Sequence, residues 1–406
     1  MTMKQTIVTG LSAAALVLAS GLAFAAGQYG PGVSDTEIKI GNTMPYSGPA
    51  SSYSVVGKAE AAYFAMINEQ GGINGRKINF ISRDDGYSPP KTVEMARQLV
   101  EQDQVLLLFN PLGTPPNLAI RGYLNDNKVP QLFVGSGDPA MNDPKHYPWT
   151  IGFAPSYRFE GRVYGRYMLK NLPDAKIAVL YQNDDLGKGY LNGLREGLGQ
   201  KADKMIVATQ SYETTDALVD SQVLLLHGSG ADTMLTAGIP KFAAQAIRKI
   251  YVLGWKPTHF LSNISASVGM VMQPLGPEKT VGMITAGYLK EPTDPQWHDT
   301  PEYREWLAWM KKYNPSGNVA DGANVYAYSV AQTFVAVLKA CGDNLTRENV
   351  MKQAASIQSL QLPMLFPGII VSTSAEDFGP VKQMGFSKFD GTTWVPFGEV
   401  VSAAGN

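Results

Sequence analysis

The chain has 406 residues, with 34 Lys and Arg against 35 Asp and Glu and a formal net charge of -1. The two signs are interspersed, which excludes the basic footprint of a nucleic-acid surface or a polybasic lipid anchor, and the length admits two or three domains with large cores. The single cysteine, Cys341, excludes an internal disulfide framework and leaves no cysteine near the start to carry a lipid.

The first predicted element is a leader. Lys4, an apolar run over 11–24 and the small-x-small triplet Ala23-Phe24-Ala25 predict a secretory signal peptide over 1–25, cleaved before Ala26. The apolar run falls short of the ~20 residues that a membrane helix needs. The mature chain is therefore expected in the periplasm.

From residue 37 the chain alternates strands at 38–43, 78–82, 105–109 and 131–134 with helices at 55–69, 91–102 and 116–127. In the first helix Val56, Ala59, Tyr63 and Met66 recur at helical spacing, and Gly71-Gly72 ends it. This is βαβ organisation, so the predicted class is α/β with a parallel sheet covered on both faces. The rhythm restarts after a junction at 149–155, with helices at 158–172, 187–199, 216–227 and 241–250 and strands at 176–181, 205–210, 233–237 and 258–261. A strand at 284–289 follows, then helices at 302–313, 322–340 and 347–357. The tail from Leu365 reads as β structure, with Asp390-Gly391 as a hairpin turn.

Chemistry-bearing patterns are sparse. His146, His227, His259 and His298 form no H-E-x-x-H pair, so no metal site is expected. Gly-x-Ser-x-Gly and a Gly-Lys-Ser or Gly-Lys-Thr phosphate loop are absent, and Gly135-Ser136-Gly137 lacks the third glycine of a dinucleotide fingerprint. Asp84-Asp85 and Asp184-Asp185 follow strands and read as caps of the next helix. Trp306 and Trp309 read as parts of an amphipathic helix, and Cys341 as inert packing. No catalytic residue and no cofactor are expected, and the chain is not read as an enzyme. What remains are loops at 43–53, 110–116 and 135–139, rich in Gly, Ser, Thr and Pro. They follow parallel strands, at the edge where open α/β sheets bind ligands, and small residues there let backbone NH groups and hydroxyls approach closely.

The segments IKIGNTMPYSGPASSY, AYFAMINEQGGINGRKINF, DDGYSPPKTVEMARQLVEQD and APSYRFEG, in this order, resemble the periplasmic branched-chain amino acid binding proteins of ABC importers, the leucine/isoleucine/valine-binding type. The resemblance covers about 37–391. It implies two Rossmann-like lobes joined by a three-strand hinge, the type I periplasmic binding protein fold. The N-terminal lobe would take 26–154 plus 287–362, and the C-terminal lobe 155–286 plus 363–406. It further implies that the lobes close on one small molecule. Carried over by position, the ligand shell comprises Tyr53; Gly113 and Thr114; Gly135, Ser136 and Gly137, whose hydroxyls and NH groups would hold a carboxylate; then Tyr157, Leu186, Ile239 and Asn263 from the second lobe. Family members that bind amino acids hold the ammonium with second-lobe acids. This chain offers Pro155, Ser156, Asn263 and Ile264 at those places, so an organic carboxylate on an apolar body, an aromatic acid above all, is the expected ligand. The implied partner is an ABC permease in the inner membrane, with no nucleic acid and a monomeric state. The alternatives are a branched-chain or other amino acid as ligand, or a sensor that docks a receptor; an exported hydrolase is disfavoured by the missing nucleophile and base.

Overall fold

A computed structural model describes residues 27–403, so the expected signal peptide lies outside the described residues. The strands are β1 (Gln28–Tyr29), β2 (Glu37–Met44), β3 (Lys77–Asp84), β4 (Leu108–Phe109), β5 (Gln131–Val134), β6 (Thr150–Gly152), β7 (Ile177–Gln182), β8 (Ile206–Tyr212), β9 (Thr233–Ala237), β10 (Thr258–Leu261), β11 (Ile284–Gly287), β12 (Asn344–Leu345), β13 (Gln383–Phe389) and β14 (Trp394–Ser402).

They build two main sheets, one per lobe. The first runs β3-β2-β4-β5-β6 and is parallel throughout. The second runs β14-β13-β11-β10-β9-β7-β8, parallel from β8 to β11 and closed by the antiparallel strands β13 and β14. Read from β8, the second order repeats the first. Each sheet therefore reverses its strand order once, between β2 and β4 and between β7 and β9, which opens a crevice at the carboxyl ends of the strands. β5 and β9 are buried along their whole length, as parallel strands covered on both faces must be.

The helix Ser54–Glu69 buries Val56, Ala59, Tyr63, Phe64 and Ile67. A late helix, Gly322–Cys341, packs back on it: Phe334 stacks on Phe109 of β4 with ring centroids 4.6 Å apart, and Tyr328 meets Tyr63 edge-on at 5.2 Å. The chain thus leaves the first sheet after β6, leaves the second after β11, and returns to the second as β13. The outgoing and returning segments run side by side, with Lys290 N donating to Met364 O and Phe366 N to Tyr288 O, both at 2.9 Å.

Several element expectations shift. β6 lies inside the expected junction, where Gly152 and a length of three residues gave no strand pattern. Within 105–109 the strand is Leu108–Phe109; before it Leu106 N and Leu107 O still bond Lys39 O and Gly41 N of β2, while Val105 O and Leu106 O accept from the Arg347 guanidinium. The helix expected from Asp216 starts at Asp220, since the Asp216 carboxylate caps Glu213 N in a turn at 2.9 Å. The helix at 347 ends at Ala354, where Thr373 Oγ1 takes the Ala354 carbonyl. The Asp390-Gly391 hairpin is present, with Asp390 accepting from Thr392 N and Thr393 N and Gly391 at φ 109°. Among the described residues no helix is long and apolar enough to cross a membrane.

Candidate functional site

A cavity of about 180 Å³ lies between the two crevices. Its first-lobe wall comes from the loops after β2, β4 and β5 and the start of the helix Gly322–Cys341. Its second-lobe wall comes from the loops after β7, β9 and β10. The crossover segments form the floor. Three hydrogen bonds tie the walls together across the mouth: Tyr53 Oη donates to Ile264 O at 2.7 Å, Ser267 Oγ to Asp321 Oδ1 at 2.7 Å, and Gly269 N to Ala320 O at 2.8 Å. The lobes are closed on each other.

Of the residues expected in the ligand shell, Tyr53, Gly113, Gly135, Ser136, Tyr157, Leu186, Ile239 and Asn263 line this cavity, and Thr114 and Gly137 do not. Thr114 is fully buried as the first residue of the helix Thr114–Asp126, and its Oγ1 lies 2.7 Å from Ser136 Oγ. Thr114 therefore orients Ser136 from behind. Gly137 seats Tyr157 instead of facing the cavity: its carbonyl accepts from Tyr157 N at 2.8 Å, and a Cβ there would come within 2.5 Å of Pro155 O and 2.7 Å of the Tyr157 ring. Gly113, at φ 109°, serves Tyr87 in the same way, because a Cβ would stand 2.6 Å from that ring. Burial raises the Tyr53 and Tyr157 hydroxyls above their ordinary range, so both stay protonated.

Behind the second-lobe wall sits Glu160. Its Oε1 accepts from Tyr164 Oη at 2.7 Å and from Asn263 N at 2.7 Å, and its Oε2 from Tyr190 Oη at 2.8 Å. Burial pushes this carboxyl up to about 7. The network fixes the Asn263 backbone at the cavity edge, while the Asn263 side chain donates to Ala286 O on β11 at 3.1 Å. Glu160 is thus a positioning residue, with both oxygens engaged in the wall and neither lining the cavity.

The sequence reading missed much of the aromatic lining, including Tyr87, Tyr288, Tyr326, Phe366 and Trp394, and the adjacent charged pair Lys290 and Glu291. Only Tyr87, in a loop after β3, carried a positional signal. Lys290 is buried with its ammonium 5.2 Å from the Trp297 ring centroid, and burial lowers its pKa. Glu291 accepts at Oε1 from Thr293 N at 3.1 Å and Thr293 Oγ1 at 2.9 Å; burial, with Asp321 and Asp294 nearby, pushes it up to about 7. The acid pairs hold local structure. Asp85 accepts from Tyr87 N and Thr92 Oγ1, and Asp184 caps the helix Asp185–Leu198 through Leu186 N and Gly187 N.

Two α/β sheets of one strand order, linked by crossing segments and shut over a single aromatic-lined cleft, define a two-lobed solute-binding architecture, the type I periplasmic binding protein fold. The chain belongs to the periplasmic binding protein family, which residues 37–393 match. The Leu/Ile/Val-binding protein homolog 1 of Brucella suis biovar 1 is 22% identical over 347 residues, 85% of this chain and 87% of that one. A branched chain amino acid ABC transporter structure from Thermus thermophilus with bound valine shares the fold at a TM-score of 0.79 and 16% identity, covering 92% of this chain and 98% of that one. A solute binding protein of an ABC transporter from Rhodopseudomonas palustris BisB5, in complex with 3,4-dihydroxy benzoic acid, shares it at a TM-score of 0.75 and 18% identity, covering 91% and 98%. The family resemblance drawn from the sequence motifs is met, and so is the expected fold.

Proposed function

We propose that the protein is a non-catalytic, periplasmic solute receptor that captures a small organic carboxylate, an aromatic acid in preference, and hands it to an ABC permease. The observation that carries this reading is the second-lobe wall. Leu186, Ile239, Ile264 and Met270 make that wall apolar, and the acid behind it, Glu160, does not line the cavity and has both oxygens engaged. A buried ammonium without a carboxylate partner is costly, whereas an aromatic ring gains from Tyr53, Tyr157 and Tyr326. Size agrees: an apolar cavity of ~150 Å³ accommodates benzene, and this one holds about 180 Å³. The carboxylate would lie against the Ser136 loop. Two of the similar structures hold a bound carboxylate, valine in one and 3,4-dihydroxy benzoic acid in the other.

The mechanism follows from the bonds across the mouth. Each lobe supplies part of the ligand shell, so a ligand binds the closed form better and shifts the population toward it. The residues 26–154 with 287–362 would move against 155–286 with 363–406. A thermal-shift screen of the mature protein against benzoate, hydroxycinnamates, aliphatic acids, leucine and valine tests the ligand class. Stabilisation by aromatic acids is the expected result; stabilisation by leucine or valine alone overturns it.

A further inference from the structure

We propose that Glu291 is the selecting acceptor of the cleft: it receives a hydrogen bond from an O–H or N–H group that the bound acid carries besides its carboxylate. The inference deepens the organic-acid reading and rests on it.

Among the described residues lining the cavity, Glu291 is the only acidic one. Its carboxyl is oriented, because Thr293 N and Thr293 Oγ1 both bond Oε1 and the Thr293 hydroxyl also lies 2.8 Å from Thr393 Oγ1. Among the described residues none donates a hydrogen bond to Oε2. The segment that carries Glu291 is itself held, by Lys290 N on Met364 O. A carboxylate has room for about four hydrogen bonds, so an oriented one with an idle oxygen on a binding cavity is an acceptor in want of a donor.

The charges around it point the same way. Asp321 and Asp294 add negative potential, and the Tyr303 hydroxyl, which Glu291 influences, stays protonated. Lys290, the adjacent cation, sets its ammonium over Trp297 and makes no ion pair with Glu291. This corner therefore repels a ligand carboxylate, which turns it toward the Ser136 loop, and attracts a hydroxyl or an ammonium. Both are the same donor chemistry, and matched ligands separate them.

The experiment is calorimetric titration of the mature protein with two pairs: benzoate against 4-hydroxybenzoate, and 3-phenylpropionate against phenylalanine. In at least one pair the donor-bearing member is expected to bind on the order of tenfold tighter. Glu291→Met should erase that preference. Glu291→Gln, which keeps an acceptor and the side-chain shape, should keep a hydroxyl preference and lose an ammonium preference. Circular dichroism melts confirm that each variant folds, and the Gln variant carries the test where the Met variant does not. Equal binding within both pairs, or a preference that survives Glu291→Met, overturns the inference while leaving the organic-acid reading intact. No binding by any of the four acids overturns that reading as well.

Discussion

The two lobes repeat one strand order, yet each buries a glutamate beside the cleft and the two are handled in opposite ways. In the first lobe Glu60, on the helix Ser54–Glu69, is wholly buried and neither carboxyl oxygen has a hydrogen-bond partner. Burial raises it well above the carboxylate range, so it is held neutral among Tyr46 and Tyr326. In the second lobe Glu160 is equally enclosed but takes three hydrogen bonds, from two helices and the Asn263 loop. The difference teaches that burial alone says little about what an acid does. A satisfied network rigidifies and positions, whereas an unpartnered carboxyl only burdens the fold.

The largest expected effects follow from that contrast. Glu160→Leu strands the Tyr190 hydroxyl and the Asn263 NH, while Tyr164 keeps Leu261 O, and should destabilise the protein by about 3 kcal/mol in urea unfolding. Glu60→Leu removes a buried polar group that nothing satisfies and should raise stability, by about 1 kcal/mol. Equal losses for the two variants would break the comparison.

pH sharpens it. The unfolded chain releases a glutamate proton near 4.5, while folded Glu160 keeps it up to about 7. The proton-bound folded state is thus favoured at acid pH, and stability attributable to this group is full below 4.5 and is lost as pH rises through about 7. Relative to Glu160→Gln, wild type should lose on the order of 3 kcal/mol across that window and then level off. His259 works against this slope in wild type, since burial lowers it to about 3 and its contribution falls as pH drops below 6.5. Subtracting the variant's curve removes that background. For Glu60, which burial also raises, the corresponding difference should likewise fall as pH rises above 4.5. A flat difference for Glu160 would show that burial does not hold the proton there.

The lobes' outlines were legible in the sequence because βαβ alternation is a local pattern: hydrophobic periodicity and terminal glycines placed helix Ser54–Glu69 and strand β5 almost to the residue. The cleft was legible where it is made of loops that follow parallel strands, as with Gly113, Gly135 and Ser136. It was illegible where residues far apart converge. Tyr326 reaches the cavity only because its helix returns to the first lobe, and Glu291 only because the crossover passes the cleft floor. Thr114 and Gly137 show the reverse case, since their neighbours in sequence face the cavity while they support the wall from behind.

The smallest effect expected concerns the latch between the lobes. Tyr53 reaches across from the first lobe to Ile264 O at 2.7 Å, a bond that exists only while the cleft is shut. In an open form water can satisfy both groups, so Tyr53→Phe should leave the unliganded melting temperature nearly unchanged, unlike Glu160→Leu, whose network lies inside one lobe. The closed form, however, loses a hydrogen bond of about 1 kcal/mol, and ligand affinity should fall roughly fivefold through population shift alone. The effect should therefore be similar for every ligand that closes the cleft, since the lost hydroxyl favours closure and not one solute. Calorimetry with two different bound acids reads this directly. A loss confined to one acid would make Tyr53 a ligand contact, and no loss with either would show that the bond contributes nothing to closure.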